Sequence, residues 1–168
     1  MCETQRLRIR HLTLDDDAFM LALLNDESFI ANIADRGVRT LEAAVDHIRN
    51  GPLASYEANG YGICLVELKD TNTPIGTCGL LKRDMFADAD LGYAFLPAFR
   101  GGGYAYEAAQ GVMTCAKTIF AMDRVIAITK PSNAGSIRLL EKLGFKYSKP
   151  ILFTEGGPED SLYECLLD

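Results

Sequence analysis

Leu91-Gly92-Tyr93-Ala94-Phe95-Leu96-Pro97-Ala98-Phe99-Arg100-Gly101-Gly102-Gly103-Tyr104-Ala105-Tyr106-Glu107-Ala108 holds the change of pattern on which the fold turns. Over 88–96, Ala89, Leu91, Tyr93 and Phe95 alternate with Asp88, Asp90, Gly92 and Ala94, which predicts a strand. Residues 97–103 read as a loop. Residues 104–120 read as a long helix with Ala105, Ala108, Ala109, Val112, Ala116 and Ile119 along one side. Three adjacent glycines let the backbone turn tightly and come close to a ligand. The helix start offers free N–H groups and the positive end of its dipole. With Arg100 in the same loop this makes an anion site, for which a pyrophosphate is a natural occupant. No Lys-Ser/Thr pair follows the glycines, so the stretch is not the phosphate loop of nucleotide triphosphatases. Gly-Gly-Gly-Tyr-Ala is the wrong order for a dinucleotide fingerprint, and no βαβ unit precedes it. On this stretch alone, the competing reading is a loop that merely needs glycines.

Upstream, alternation over 6–12 predicts a first strand. Thr13-Leu14-Asp15-Asp16 has a hydroxyl at the cap and acids in the first turn, and the apolar stretch 18–24 follows as a helix. Residues 26–37 suggest a short helix and a loop. Thr40 opens a second helix with Leu41, Ala44, Val45 and Ile48 at helical spacing, which Gly51-Pro52 should break or kink. Strand-like runs at 61–69 and 74–82 are joined by the turn formers Asp70-Thr71-Asn72-Thr73. With 88–96 they make an antiparallel meander. Downstream come a β-branched strand at 124–129, a helix at 133–143 with Gly144 just past its end, and closing strands at 145–153 and 162–167. Glu155-Gly156-Gly157-Pro158 separates those two strands. The second half is therefore β-α-β-α-β appended to an antiparallel first half.

Asn133-Ala134-Gly135-Ser136-Ile137-Arg138-Leu139-Leu140-Glu141-Lys142-Leu143-Gly144-Phe145 is the second informative segment. Asn133 reads first as the helix cap and second as a group that faces a ligand. The two segments, in this order and spacing, resemble the GNAT superfamily of acetyl-CoA-dependent N-acyltransferases. The family signature Arg/Gln-x-x-Gly-x-Gly/Ala is matched at Arg100, Gly103 and Ala105. The Asn followed by a helix ending in Glu-Lys-Leu-Gly-Phe is matched by Asn133 and Glu141 to Phe145. Thr4-Gln5-Arg6-Leu7-Arg8-Ile9-Arg10 is similar to the family's opening strand, so the likeness spans nearly the whole chain. The Ser136 spacing and that strand look most like the branch of ribosomal-protein N-terminal acetyltransferases, the RimJ/RimL type.

The resemblance implies an α+β fold in which a central, mostly antiparallel sheet of six to seven strands is flanked by helices and splayed at the cofactor site. It implies that backbone groups of Phe95 and Leu96 pair with the pantetheine arm of acetyl-CoA. Loop N–H groups of Arg100, Gly101, Gly102, Gly103, Tyr104 and Ala105 would hold the pyrophosphate, and Asn133 would bond near the pantetheine. No metal is called for. Many relatives carry a Tyr on the helix after the Asn as the acid for the departing thiolate. Leu140 occupies that position here and cannot donate a proton. Ser136 and Tyr93 are the substitutes by position, against plainer readings as a capping hydroxyl and a packed ring. Asp90 and Glu67 are candidate base or amine anchor, against solvated strand residues. Cys78 and Cys115 could be acylated, but no base adjoins them in sequence, which favours direct attack in a ternary complex.

Composition sets the outer limits. The chain has 168 residues, 48% hydrophobic and 24% charged, which fits one domain over 1–168 with a real core. A net charge of −6 leaves no broad basic field, so no nucleic acid is expected. The acidic excess mildly favours a cationic acceptor. No apolar run approaches the ~18 residues that span a bilayer, and no apolar stretch follows Met1-Cys2-Glu3-Thr4-Gln5-Arg6 as a secretory signal would. Cys2, Cys64, Cys78, Cys115 and Cys165 are scattered, and His11 and His47 lie far apart, so neither a disulfide framework nor a zinc site is expected and the location reads as cytoplasmic. The leading reading is transfer of acetyl to a primary amine, whether a protein N-terminus, a polyamine or antibiotic, or an amino-acid-like amine. A non-catalytic acyl-CoA sensor, suggested by Leu140, and an interaction domain with a vacant loop are the alternatives. Specificity is expected from 28–39, Met85-Phe86 and 155–158, and a homodimer is common among relatives.

Overall fold

The computed structural model describes residues 2–153 and 155–167. Its eight strands form one sheet in the order β1-β2-β3-β4-β5-β6-β8-β7. They are β1 Cys2–Glu3, β2 Leu7–Arg10, β3 Ile63–Leu68, β4 Pro74–Leu81, β5 Ala89–Phe95, β6 Arg124–Thr129, β7 Lys146–Leu152 and β8 Glu159–Leu166. Every neighbouring pair is antiparallel except β5 and β6, which run parallel. A parallel pair needs a crossover, and α5, Tyr104–Thr118, supplies it. The expected six to seven strands become eight because β1 is two residues long, too short for any period to be read. β8 also starts at Glu159, three residues ahead of the expected 162. There Glu159, Asp160 and Ser161 pair with Leu152, Ile151 and Pro150 of the edge strand β7, a polar run that carries no apolar alternation to read.

Alternation along the strands sorts the core onto two faces. Leu65 and Val66 are neighbours on β3, yet they belong to different clusters. Val66 joins Leu7, Ile9, Ile75 and Leu80 under the alanine-rich face of α5, Ala108, Ala109, Val112 and Ala116. Leu65 joins Leu12 under α1, Asp17–Leu24, and α3, Leu41–Ile48. α2, Glu27–Asn32, and α4, Ala54–Asn59, complete that second layer.

Gly51-Pro52 does not end the helical path. Residues Arg49–Leu53 form a π turn between α3 and α4. Pro lacks an N–H and crowds the carbonyl four residues back, and the wider turn accommodates both defects.

α6, Ala134–Lys142, lies over β6 and buries Leu140 to 1% exposure within the α5-side core. The side chain at the usual tyrosine position is thus a packing residue. Leu140→Ala should cost about 3 kcal/mol by denaturant titration, the sum of lost burial and a residual cavity. No helix among the described residues is long and apolar enough to cross a membrane.

Candidate active site

β5 and β6 are paired only at Ala89–Val125 and Asp90–Ile126. Beyond Asp90 the two strands part, and a cleft of about 850 Å³ opens between them. Leu96 N–H bonds Ile75 O, which fixes the hydrogen-bonding phase of the β4–β5 ladder. Ala94 and Gly92 then bond toward β4, while Leu91, Tyr93 and Phe95 turn their N–H and C=O groups toward the gap. Leu91 N–H serves the last rung with β6 and Phe95 C=O accepts from Arg100, so the groups left facing the gap are those of Tyr93 and the N–H of Phe95. Leu96 adds none to these, because its N–H is on Ile75 O and its C=O accepts from Phe99 N–H.

At the end of β5 the chain makes a short 3-10 turn, Pro97–Phe99, and enters the glycine loop. Gly101 and Gly103 have φ of +79° and +78°, the left-handed region that glycine enters without penalty. Successive N–H groups in such a turn point into one concavity. The N–H groups of Gly101, Gly102 and Gly103 have no partner among the described residues. Gly103 is also the N-cap of α5 and offers no side-chain cap. The helix therefore presents its first-turn N–H groups uncovered at the mouth of the cleft.

The loop is braced from outside. Arg6 donates to Gly102 O at 3.0 Å and stacks on the Tyr104 ring at 4.3 Å. Glu107 accepts from Arg6 and Thr4 and is thereby turned away from the anion site. Arg100 is not free for a phosphate. Its Nε and Nη2 donate to Phe95 O at 2.9 and 2.7 Å, and Nη2 also pairs with Asp26 at 2.7 Å. Arg100 locks the loop to the end of β5 and to the cap of α2.

Across the gap, Asn133 Oδ1 accepts Ser136 N–H at 3.1 Å, so Asn133 caps α6 and also lines the cleft. Ser136 Oγ lies 2.7 Å from Tyr93 Oη, joining α6 to β5 over the cleft. Burial pushes the Tyr93 phenol up to about 12, with the Ser136 bond pulling weakly the other way. Tyr93 thus keeps its proton at neutral pH and is a hydrogen-bond donor.

Asp90 sits where the strands part and is 2% exposed. Its Oδ2 accepts from Arg83 Nε at 2.6 Å, and Oδ1 has no hydrogen-bond partner among the described residues. Burial raises its pKa above the ordinary carboxylate value, against the pull of Arg83. Alternation puts Asp90, Gly92 and Ala94 on the α1–α4 face and Tyr93 on the α5 face. Glu67 is elsewhere: buried on β3, it takes Arg8 at 2.8 Å and Arg10 at 3.1 Å and does not reach the cleft. Cys2, Cys64, Cys78 and Cys115 are free thiols. Cys78 is fully buried, its thiol pushed up by burial, and neither it nor Cys115 lines the cleft.

Of the segments expected to set specificity, 28–39 contributes Ser28, Phe29, Asn32, Ile33 and Arg36 to the cleft. Met85, Phe86 and 155–158 do not line it, and Phe86 instead packs against Ile126, Ile151 and Leu162. The sequence reading missed the bracing by Arg6 and Asp26 and the pairing of Arg83 with Asp90. Each partner lies on a different element from the group it holds, so no spacing signal marks it.

A family model for the acetyltransferase (GNAT) domain matches residues 6–146. The Bacillus subtilis (strain 168) protein YkkB is 31% identical over 156 residues, covering 88% of this chain and 86% of its own length. Among solved structures, a GNAT-family acetyltransferase from Bacillus anthracis superposes with a TM-score of 0.82 at 24% identity, over 98% of this chain and 96% of that one. RimL, a ribosomal L7/L12 alpha-N-protein acetyltransferase solved with coenzyme A, gives 0.83 at 16% identity, over 98% and 96%. These two likenesses carry the fold. The family follows from the domain match across most of the chain, and with it the activity: the chain belongs to the GNAT acetyltransferases and is an N-acetyltransferase that uses acetyl-CoA.

Proposed function

We propose that this single domain transfers acetyl directly from acetyl-CoA to a primary amine in a ternary complex, with a protein N-terminus as the acceptor. The observation that supports it most is the parting of β5 from β6 at Asp90, with an uncapped helix start at one end and the Tyr93–Ser136 pair beside it. The pantetheine would lie along the gap-facing groups of β5, next to Phe95 and Leu96, with Asn133 opposite. The pyrophosphate would sit on N–H groups from Gly101 to Ala105, with Tyr104 held in place by Arg6 and Arg100 acting as a brace.

The amine enters from the α1–α4 face. Its nitrogen attacks the thioester carbon, and a gap-facing N–H of β5 stabilises the oxygen as charge develops. Asp90 takes the amine proton, a role for which a raised pKa suits it. The C–S bond then breaks, and the thiolate takes a proton from the Tyr93 hydroxyl, which Ser136 positions. An acyl-cysteine route has no support, because no cysteine lines the cleft. The N-terminal acceptor rests on the RimJ/RimL likeness of the sequence and on the shared fold with RimL.

Thiol release measured against both substrates should give intersecting initial-velocity lines. Parallel lines would mean an acyl-enzyme and sink the direct-attack step. Asp90→Asn should lower kcat about a hundredfold, the scale of a lost general base. The sign with pH follows from the raised pKa. As pH falls through that value the carboxylate becomes protonated and kcat falls, so the acid limb lies above the ordinary carboxylate range. That limb should vanish from the pH–kcat profile of Asp90→Asn.

A further inference from the structure

The charge of the cleft runs against that of the chain. The chain carries −6, yet the cleft is lined by Arg36, Lys82, Arg83 and Arg100 with Asp90 as its one carboxylate among the described residues. Three of those cations are already engaged. Arg100 is held by Phe95 O and Asp26, Arg83 by Asp90, and Lys82 Nζ by the carbonyls of Phe86 and Ala87. Arg36 has no ion-pair or hydrogen-bond partner among the described residues. The adjacent carboxylate, Asp35, is spent on Arg39 and on Gly37 N–H. His47 on α3 is close enough to feel Arg36: burial first and that guanidinium second lower its pKa. It is then a neutral imidazole beside an unpaired cation. Both line the cleft and come from the α1–α4 layer, His47 from α3 and Arg36 from the link between α2 and α3. In the same cleft, Asp90 Oδ1 is a buried acceptor with no well-formed hydrogen bond among the described residues, although the nearby Ile128 N–H pulls the carboxyl's pKa down. An orphan of this kind is costly unless a ligand satisfies it.

We infer, building on the transferase reading above, that the acceptor half takes a primary amine carrying its own anionic group, the amine toward Asp90 and the anion toward Arg36 and His47. A polyamine fits poorly, since its second ammonium would meet an unneutralised guanidinium. An acidic protein N-terminus and a free acidic amino acid share the required chemistry.

The test uses the intact chain saturated with coenzyme A and titrated with four probes: a short Ser-Asp-Glu peptide, a matched Ser-Lys-Lys peptide, free L-aspartate and spermidine. One anionic probe should bind at least tenfold tighter than either cationic one, the scale of one lost charge-assisted bond. Stronger binding of the acidic peptide assigns the site to chain termini, and stronger binding of aspartate assigns it to amino acids. In Arg36→Gln, an exposed position that leaves the core intact, the preference should shrink toward parity while coenzyme A affinity stays unchanged. Preference for spermidine, equal binding of the probes, no binding of either anionic probe, or an unchanged preference in Arg36→Gln would each overturn the inference. Failure to bind coenzyme A at all is a separate result and counts against the transferase reading itself.

Discussion

Gly103→Asp should bind acetyl-CoA more than a hundredfold more weakly than the parent chain, a loss of about 3 kcal/mol, while remaining folded. Gly103 is the N-cap of α5 at φ +78°. Aspartate tolerates that region better than most residues and is a preferred N-cap, so its carboxylate should bond the first N–H groups of the helix. Those are the groups proposed for the pyrophosphate. The substitution therefore fills the site and adds a like charge, and the capping gain offsets the strain. A Cβ at this position meets nothing nearer than Arg6 Nη2 at 3.5 Å, so the loop has room for it. Gly103→Ala imposes the same φ without charge or cap, and should be less stable by about 1 kcal/mol yet lose under tenfold in affinity. Calorimetric titration of both variants, with thermal unfolding as the control for folding, separates charge from strain. Near-parental binding by Gly103→Asp would remove the pyrophosphate from this loop.

That loop was legible in the sequence because its information is local. The period changes from two to 3.6 between Phe95 and Tyr104, and three glycines mark the junction. The cap at Asn133 was legible for the same reason. The role of Arg100 was not. The resemblance implied its backbone N–H as a pyrophosphate donor, but that N–H bonds Pro97 O, and the side chain pairs with Asp26, 74 residues earlier in the chain. Tyr93 illustrates the limit most clearly. Alternation along β5 correctly put it with Leu91 and Phe95 on the α5 face, where a packed ring was the plainer reading. Only the position of α6, set by the β6–β8 ladder and the packing of Leu140, brings Ser136 to its hydroxyl. A one-dimensional pattern tells which way a side chain faces, not what stands across from it. The acceptor side is harder still. Phe29 and Arg36 share the segment 28–39, but His47, Arg83 and Asp90 come from three others, and no two of the five form a motif.

Tyr93→Phe should lower kcat for thiol release about a hundredfold or more, the scale of a positioned general acid, with the KM for acetyl-CoA unchanged. Phenylalanine keeps the ring and its packing, so folding is preserved and the deleted oxygen is isolated as the cause. The protonation state supports the direction. Burial pushes the phenol up to about 12, so it holds its proton throughout the range in which an amine is free to attack. Any alkaline fall of kcat below pH ~10 must then belong to another group, since a phenol titrating near 12 remains almost fully protonated there. Ser136→Ala should cost less, about tenfold, because it removes the 2.7 Å contact that orients the phenol while leaving the donor in place. The double variant separates the two roles. If Ser136 acts through Tyr93, the pair should be no slower than Tyr93→Phe alone, as for residues that work as one unit. Multiplicative losses would make Ser136 an independent donor. An unchanged kcat in Tyr93→Phe would mean that the thiolate leaves without help from this pair, and that Leu140 replaced a tyrosine this enzyme does not need.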